Sequence, residues 1–374
     1  MKLDEKVLEN GERVAYSLGE LYRKYGYVRY KISKFEEYDL YVQNKSFLVS
    51  ENVLTFTDTD GKLMALKPDV TLSIVKNSID EKNSIQKVYY NENVYRTSVG
   101  AGEFKEIMQT GLECIGDIDS YSVGEVVMLA AKSLESVSKK YVLDLSHLGF
   151  VSALLEGLTD NEVTRRELLR LMGDKNIHSI RALCAESGIA EDGCDDVCKL
   201  AKLYGPIAKT LDDLLPIVRN DEMRAAYEEL ATLVEIIRIY GFEDRVFLDF
   251  SIVNDMNYYN GIIFKGFVDG IPAGLLSGGR YDNLLKKMGK SSGAIGFAVY
   301  LDLLERFGDD GEYFDVDVLL TYEEATTKDI IDAVKLLSSY GKTVKVQKTN
   351  DGRVRYRQLA AVRRGGFEIL ENND

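Results

Sequence analysis

Residues 86–117, QKVYYNENVYRTSVGAGEFKEIMQTGLECIGD, read as two long β-strands around a glycine-containing loop, Val99-Gly100-Ala101-Gly102. Strands this close in sequence pair antiparallel. Upstream, Leu8, Val14, Leu18, Leu21 and Tyr22 recur at helical spacing over residues 7–24 and stop before Gly26. Tyr27 to Ile32, Val53 to Thr57 and Leu63 to Leu66 read as strands, the last two about the turn Asp58-Thr59-Asp60-Gly61. Pro68 is expected to start a helix with Asp69 and Thr71 in its first turn. Downstream, residues 122–140 have a helical period, and 148–240 are nearly all helical, with breaks expected at Gly173, Gly188, Gly193 and Gly205. Strands are expected again at 246–252, 261–268 and 273–277. Gly278-Gly279-Arg280-Tyr281-Asp282 is expected to open a helix, and Gly293 to Phe307 reads as strand then helix. Antiparallel strands interrupted by helices, without regular βαβ alternation, predict the α+β class.

A chain of 374 residues is long for one domain. The acidic stretch Gly308-Asp309-Asp310-Gly311-Glu312 reads as a linker. It divides a unit over 1–312, with a helical insertion at about 148–240, from a small C-terminal α/β domain over 313–374. In that tail, 316–320 and 343–346 read as strands and 326–340 as a helix.

A formal charge of −14, with no tract rich in lysine and arginine, argues against nucleic acid as the partner. No apolar run reaches the roughly 18 residues that span a membrane, and Met1 to Lys6 lacks a signal peptide's apolar core. A cytoplasmic protein with no membrane partner is expected. Cys114, Cys184, Cys194 and Cys198 make no disulfide framework. Cys194 and Cys198 are one helical turn apart, but a metal would need further ligands, with His178 the single candidate. His147 and His178 cannot form an H-E-x-x-H site, and no G-x-G-x-x-G or Walker A stretch is present. No metal, cofactor or catalytic residue is expected.

Five segments, in order, resemble histidyl-tRNA synthetase, a class II synthetase. They are Tyr25-Gly26-Tyr27 through Glu36; Leu66-Lys67-Pro68-Asp69-Val70-Thr71; Val94-Tyr95-Arg96 through Gln109-Thr110-Gly111-Leu112-Glu113; Asn254-Asp255-Met256-Asn257-Tyr258-Tyr259-Asn260; and Ser277-Gly278-Gly279-Arg280-Tyr281-Asp282 followed by Gly296-Phe297-Ala298. The resemblance implies a class II synthetase-like antiparallel sheet flanked by helices, and it sorts the residues into two groups.

One group suits free histidine, which needs acceptors for its ammonium, donors for its carboxylate and polar partners for its imidazole. Asp69, Thr71 and Gln109 match the family's amino-group contacts. Glu113 and Tyr259 match its imidazole contacts, with Tyr258 beside them, and Arg96 matches an arginine able to pair with a carboxylate. Asp69 stands where synthetases carry a longer Glu, and Pro-Asp-x-Thr resembles the regulatory-subunit branch of the family. The other group should hold ATP. Adenylation builds charge at a phosphate and needs preorganised cations. The family's arginines fall at Asn254 and Leu303, and a basic residue of its motif 2 loop falls at Glu103.

Retained histidine contacts with lost ATP contacts resemble the regulatory subunit of short-form ATP phosphoribosyltransferase, a protein of histidine biosynthesis. That resemblance implies a non-catalytic subunit in a hetero-oligomer with a separate catalytic ATP phosphoribosyltransferase chain, activation of that chain, L-histidine as inhibitory effector, and a self-dimer. Ser33 departs from motif 1, which has a proline there. Reorientation of Gly278-Gly279 as the pocket closes on Tyr258 and Tyr259 is the expected route from pocket to partner. The alternatives are a synthetase-like amino-acid-binding module with another partner and an active histidyl-tRNA synthetase, which would need arginine at Asn254 and Leu303.

Overall fold

The computed structural model describes residues 8–48, 52–97, 103–253, 258–304 and 314–373. The chain divides into two compact units, 1–307 and 308–374. The Val99 to Gly102 loop, Asn254 and the Gly308 to Glu312 stretch lie outside the described residues.

In the first unit, α1 (Asn10–Lys24) buries Ala15, Leu18 and Tyr22 on one stripe. Strand β1 (Val28–Arg29) is shorter than the sequence suggests, and β2 (Phe35–Glu37) follows it, then α2 (Asp39–Gln43). The hairpin β3 (Thr55–Thr57) and β4 (Leu63–Leu66) forms a three-stranded sheet with β2. Gly61 supplies the positive φ that its turn requires. Helix α3 is Thr71–Asn77 and begins three residues after Pro68. The Asp69 carboxylate accepts the Leu72 amide at 2.8 Å, so the helix starts behind that cap.

The long arms are β5 (Ile85–Thr97) and β6 (Phe104–Gly116), paired antiparallel throughout. Helix α4 (Ser120–Val137) leads into β7 (Tyr141–His147), a strand the sequence reading missed because it is buried along its length and does not alternate. Then come α5 (Leu148–Leu158), α6 (Glu162–Gly173), α7 (Ile177–Glu186) and α8 (Glu191–Lys202). Strand β8 (Tyr204–Pro206), α9 (Ile207–Thr210) and α10 (Asp221–Tyr240) follow. Gly193 lies inside α8 and breaks nothing; the Leu158 side chain packs against it. Gly205 lies in β8.

Strands β9 (Val246–Asp249), β10 (Ile262–Val268), β11 (Leu276–Arg280) and β12 (Gly293–Tyr300) complete a nine-stranded sheet. Its order is β1-β5-β6-β12-β11-β10-β7-β9-β8. Only β1 with β5 and β7 with β9 run parallel. Helix α11 (Asp282–Lys287) starts after β11, so Gly278 and Gly279 belong to a strand and do not open a helix. The physical reason is crowding: a Cβ on Gly279 would sit 2.7 Å from the Ile262 carbonyl, and one on Gly278 would meet the Gly296 carbonyl. After β12 a single 3₁₀ turn, Leu301–Leu304, stands where a helix was expected.

This sheet separates two apolar layers. Leu112 and Cys114 face α1 and α4, whereas Val88, Tyr90, Val94 and Ile115 face the layer containing α3 and α11. All four cysteines are buried and free, Cys114 on β6 and the other three on α7 and α8. Among the described residues no group of His, Cys, Asp and Glu could hold a metal. No helix there is long and apolar enough to cross a membrane.

The second unit is a four-stranded sheet, order β14-β13-β15-β16, formed by β13 (Val316–Thr321), β14 (Val344–Gln347), β15 (Tyr356–Arg363) and β16 (Gly366–Asn372). Ala333 and Leu337 of α12 (Thr327–Ser339) pack with Val318, Leu320, Ala360 and Val362. The closing hairpin of β15 and β16 is absent from the sequence reading.

Candidate functional site

Strand β6 places Gln109, Gly111 and Glu113 on one face, two residues apart. Across the ladder these stand opposite Tyr300, Ala298 and Gly296 of β12. Ala298 and Gly296 in turn stand opposite Ser277 and Gly279 of β11. The result is a floor almost without side chains, above which lies a cavity of about 400 Å³. Its walls include all seven residues expected to hold histidine: Asp69, Thr71, Arg96, Gln109, Glu113, Tyr258 and Tyr259.

Glu113 anchors the deep end and is 2% exposed. Thr71 Oγ1 donates to one carboxylate oxygen at 2.7 Å, and the Tyr281 hydroxyl donates to the other at 2.5 Å. Burial pushes its pKa up to about 8, against those two hydrogen bonds, and Asp69 nearby pushes the same way. Asp69 is likewise raised by burial, with Arg96 opposing. Arg96 donates through Nε to the Pro68 carbonyl at 2.7 Å, and its Nη2 lies 3.9 Å from Asp69. The guanidinium therefore ties the turn before α3 to β5. Gln109, 2% exposed, has a side-chain Nε2 with no protein partner among the described residues. A buried donor left unmade costs free energy, and a ligand acceptor would relieve it.

Aromatic rings close the deep end. Tyr258 lies 4.7 Å from Tyr259 and 5.7 Å from Tyr281, centroid to centroid, and Phe47 packs edge-on to Tyr258. Tyr281 and Tyr90 were not among the expected site residues. Strand alternation could have found Tyr281, since Ser277, Gly279 and Tyr281 share a parity. Lys265, Ser277 and Tyr300 line the outer part of the cavity.

Of the residues that stand where the family carries phosphate-binding cations, Leu303 and Glu103 do not line this cavity. Leu303 is half-buried against the main core, and Glu103 is exposed. Asn254 lies outside the described residues. Gly278-Gly279, the segment expected to reorient, is paired to β10 and β12 on either side.

His147 is structural. Its Nδ1 accepts the Phe150 amide at 3.2 Å, capping α5, so Nε2 is the nitrogen that donates to Glu229 at 3.0 Å. A second cavity of about 490 Å³, bounded by Lys82, Asp117, Arg280, Asp282 and Lys286, contains none of the expected residues. Its Arg280 is already bonded to Asp282 at 2.9 Å.

The model of the histidyl-tRNA synthetase family matches residues 2–304. Among curated proteins, the ATP phosphoribosyltransferase regulatory subunit of Ruminiclostridium cellulolyticum is 27% identical over 365 residues, 94% of this chain and 86% of that one. Among solved structures, one described as an ATP phosphoribosyltransferase regulatory subunit/histidyl-tRNA synthetase from Bacillus halodurans superposes with a TM-score of 0.75 at 24% identity. That match covers 94% of this chain and 93% of the other. The ATP phosphoribosyl transferase (HisG:HisZ) complex from Thermotoga maritima matches with a TM-score of 0.62 at 18% identity, over 78% of this chain and 97% of that one.

Proposed function

The chain belongs to the histidyl-tRNA synthetase family, and from that premise we propose that it is the non-catalytic, histidine-sensing regulatory subunit of ATP phosphoribosyltransferase. The observation that carries this reading is the split within one site. Seven residues suited to histidine line a single cavity, while Leu303, in the place of a phosphate-binding arginine, packs against the core. Adenylation without preorganised cations loses the largest electrostatic contribution to its rate. A pocket that binds an amino acid without chemistry of its own must act through a partner. The curated relative's name and the Thermotoga maritima complex support the catalytic ATP phosphoribosyltransferase chain as that partner.

In this reading the subunit is cytoplasmic, forms a self-dimer and assembles with the catalytic chain. It stimulates that chain in the absence of histidine and inhibits it as histidine rises. Such control requires that histidine bind two states of the complex unequally. In this reading the walls around Tyr258 and Tyr259 close on the ligand above the paired strands of the floor.

The test is phosphoribosyltransferase activity of the short catalytic chain, alone and with this protein, across a histidine titration. Stimulation on mixing, then inhibition by histidine, supports the reading. Failure of the two chains to co-elute, with activity indifferent to the added protein, sinks it.

A further inference from the structure

The floor of the cavity is ordered in rows. Glu113, Gly296, Gly279 and Ile263 stand opposite one another across β6, β12, β11 and β10. One step along, Gly111, Ala298, Ser277 and Lys265 do the same. A ligand whose ring meets Glu113 lies over bare glycine backbone, and the next row ends in a hydroxyl and an ammonium. The even-numbered residues of β10 point the other way, where Gly266 meets Leu134 of α4, so Lys265 faces the cavity.

The charges around the cavity are unequal in their commitments. Asp69 and Glu113 are both acids, and neither supplies the positive charge that a ligand carboxylate needs. A carboxylate taken from water needs a cation or strong donors. Arg96 is the obvious cation, but its Nε is spent on the Pro68 carbonyl and its Nη2 faces Asp69. Lys265 is half-buried, lines the cavity and has no carboxylate within ion-pair distance among the described residues. Its stem lies along Gly274, where a Cβ would stand 3.6 Å from Lys265 Cγ.

We propose that Lys265, with the Ser277 hydroxyl beside it, is the carboxylate reader of this pocket and makes it select an α-amino acid over the corresponding amine or alcohol. Arg96 is a positioning residue that holds Asp69 and the turn before α3. This assignment rests on the histidine-sensing reading and names the groups that recognise the ligand's acid end. It puts selectivity in a single flexible cation on β10, on the strand farthest from Glu113 in the row.

The experiment compares L-histidine with L-histidinol, which keeps the imidazole and the amine and replaces the carboxylate by a hydroxymethyl group. Calorimetry uses the full chain and its Lys265→Gln and Lys265→Arg variants, each checked for an unchanged melting curve. The wild type should prefer histidine by roughly tenfold or more, the worth of one charge-assisted contact. Lys265→Gln should erase that preference by weakening histidine and leaving histidinol within about twofold, and Lys265→Arg should restore most of it. Wild-type binding of histidine with an undiminished preference in Lys265→Gln overturns the assignment alone. Absence of histidine binding by the wild type overturns the histidine-sensing reading, and this assignment with it.

Discussion

The deep end of the pocket and the place where ATP would lie are built on opposite principles. Both oxygens of the Glu113 carboxyl group are spoken for: Thr71 and Tyr281 bond them, and three tyrosines wall the group off. Where phosphate should be gripped, Leu303 adds to the apolar core and Glu103 faces solvent. Holding an ordered, buried carboxyl group costs folding free energy, which its two hydrogen bonds offset. Among the described residues, nothing comparable surrounds Leu303 or Glu103.

The widest gap between the two ends is chemical. Histidine-dependent exchange of pyrophosphate into ATP should be undetectable, because each missing preorganised donor is worth roughly 10²–10³ in rate. Robust exchange by protein free of contaminating synthetase would erase the comparison. Next in size is the pH dependence of stability. Glu113 titrates at about 8 in the folded chain, above its ordinary 4.5. Its raised folded pKa means the native state holds the proton more tightly than the unfolded chain. Its favourable contribution is therefore complete below about pH 4.5 and is lost as pH climbs through about 8. Glu113→Gln should accordingly gain stability on the wild type between about pH 5 and 8, by an amount on the order of a few kcal/mol read from melting curves, and run parallel to it above. Parallel curves throughout would show that Glu113 is not held neutral.

Removing the same side chain tests binding more modestly. Glu113→Ala should weaken histidine by about 1.5–3 kcal/mol, roughly tenfold to a hundredfold in a calorimetric titration. An unchanged affinity would detach Glu113 from the ligand. The smallest effect belongs to the other end: Glu103→Ala should move histidine affinity by no more than about 0.5 kcal/mol, as expected of an exposed side chain away from the contacts. A larger change would mean that the motif 2 loop reaches the ligand and that the two ends are not separate.

Much of this could be read along the chain. The arms of β5 and β6, the hairpin of β3 and β4, and the seven residues that line the cavity all have local signatures or a motif. Other features have none. Strand β7 is buried on both faces and lacks alternation, β8 is three residues amid helices, and the last hairpin went unseen for want of a pattern. Gly278-Gly279 resembles a helix opening in sequence, yet the neighbours that forbid a side chain there come from β10 and β12.

The amino-acid sequence by itself determined the α+β class, the order of its motifs, and which side chains suit histidine and which no longer suit ATP, since these depend on residue type and on spacing along the chain. Only the tertiary structure decided that Tyr281 completes the Glu113 network, that Arg96 is already engaged with Pro68 and Asp69, and that Lys265 lines the cavity. Those are contacts between residues far apart in the chain. Partners, burial and pKa arise when strands distant in sequence are laid side by side, and no local pattern encodes which donor will reach which acceptor.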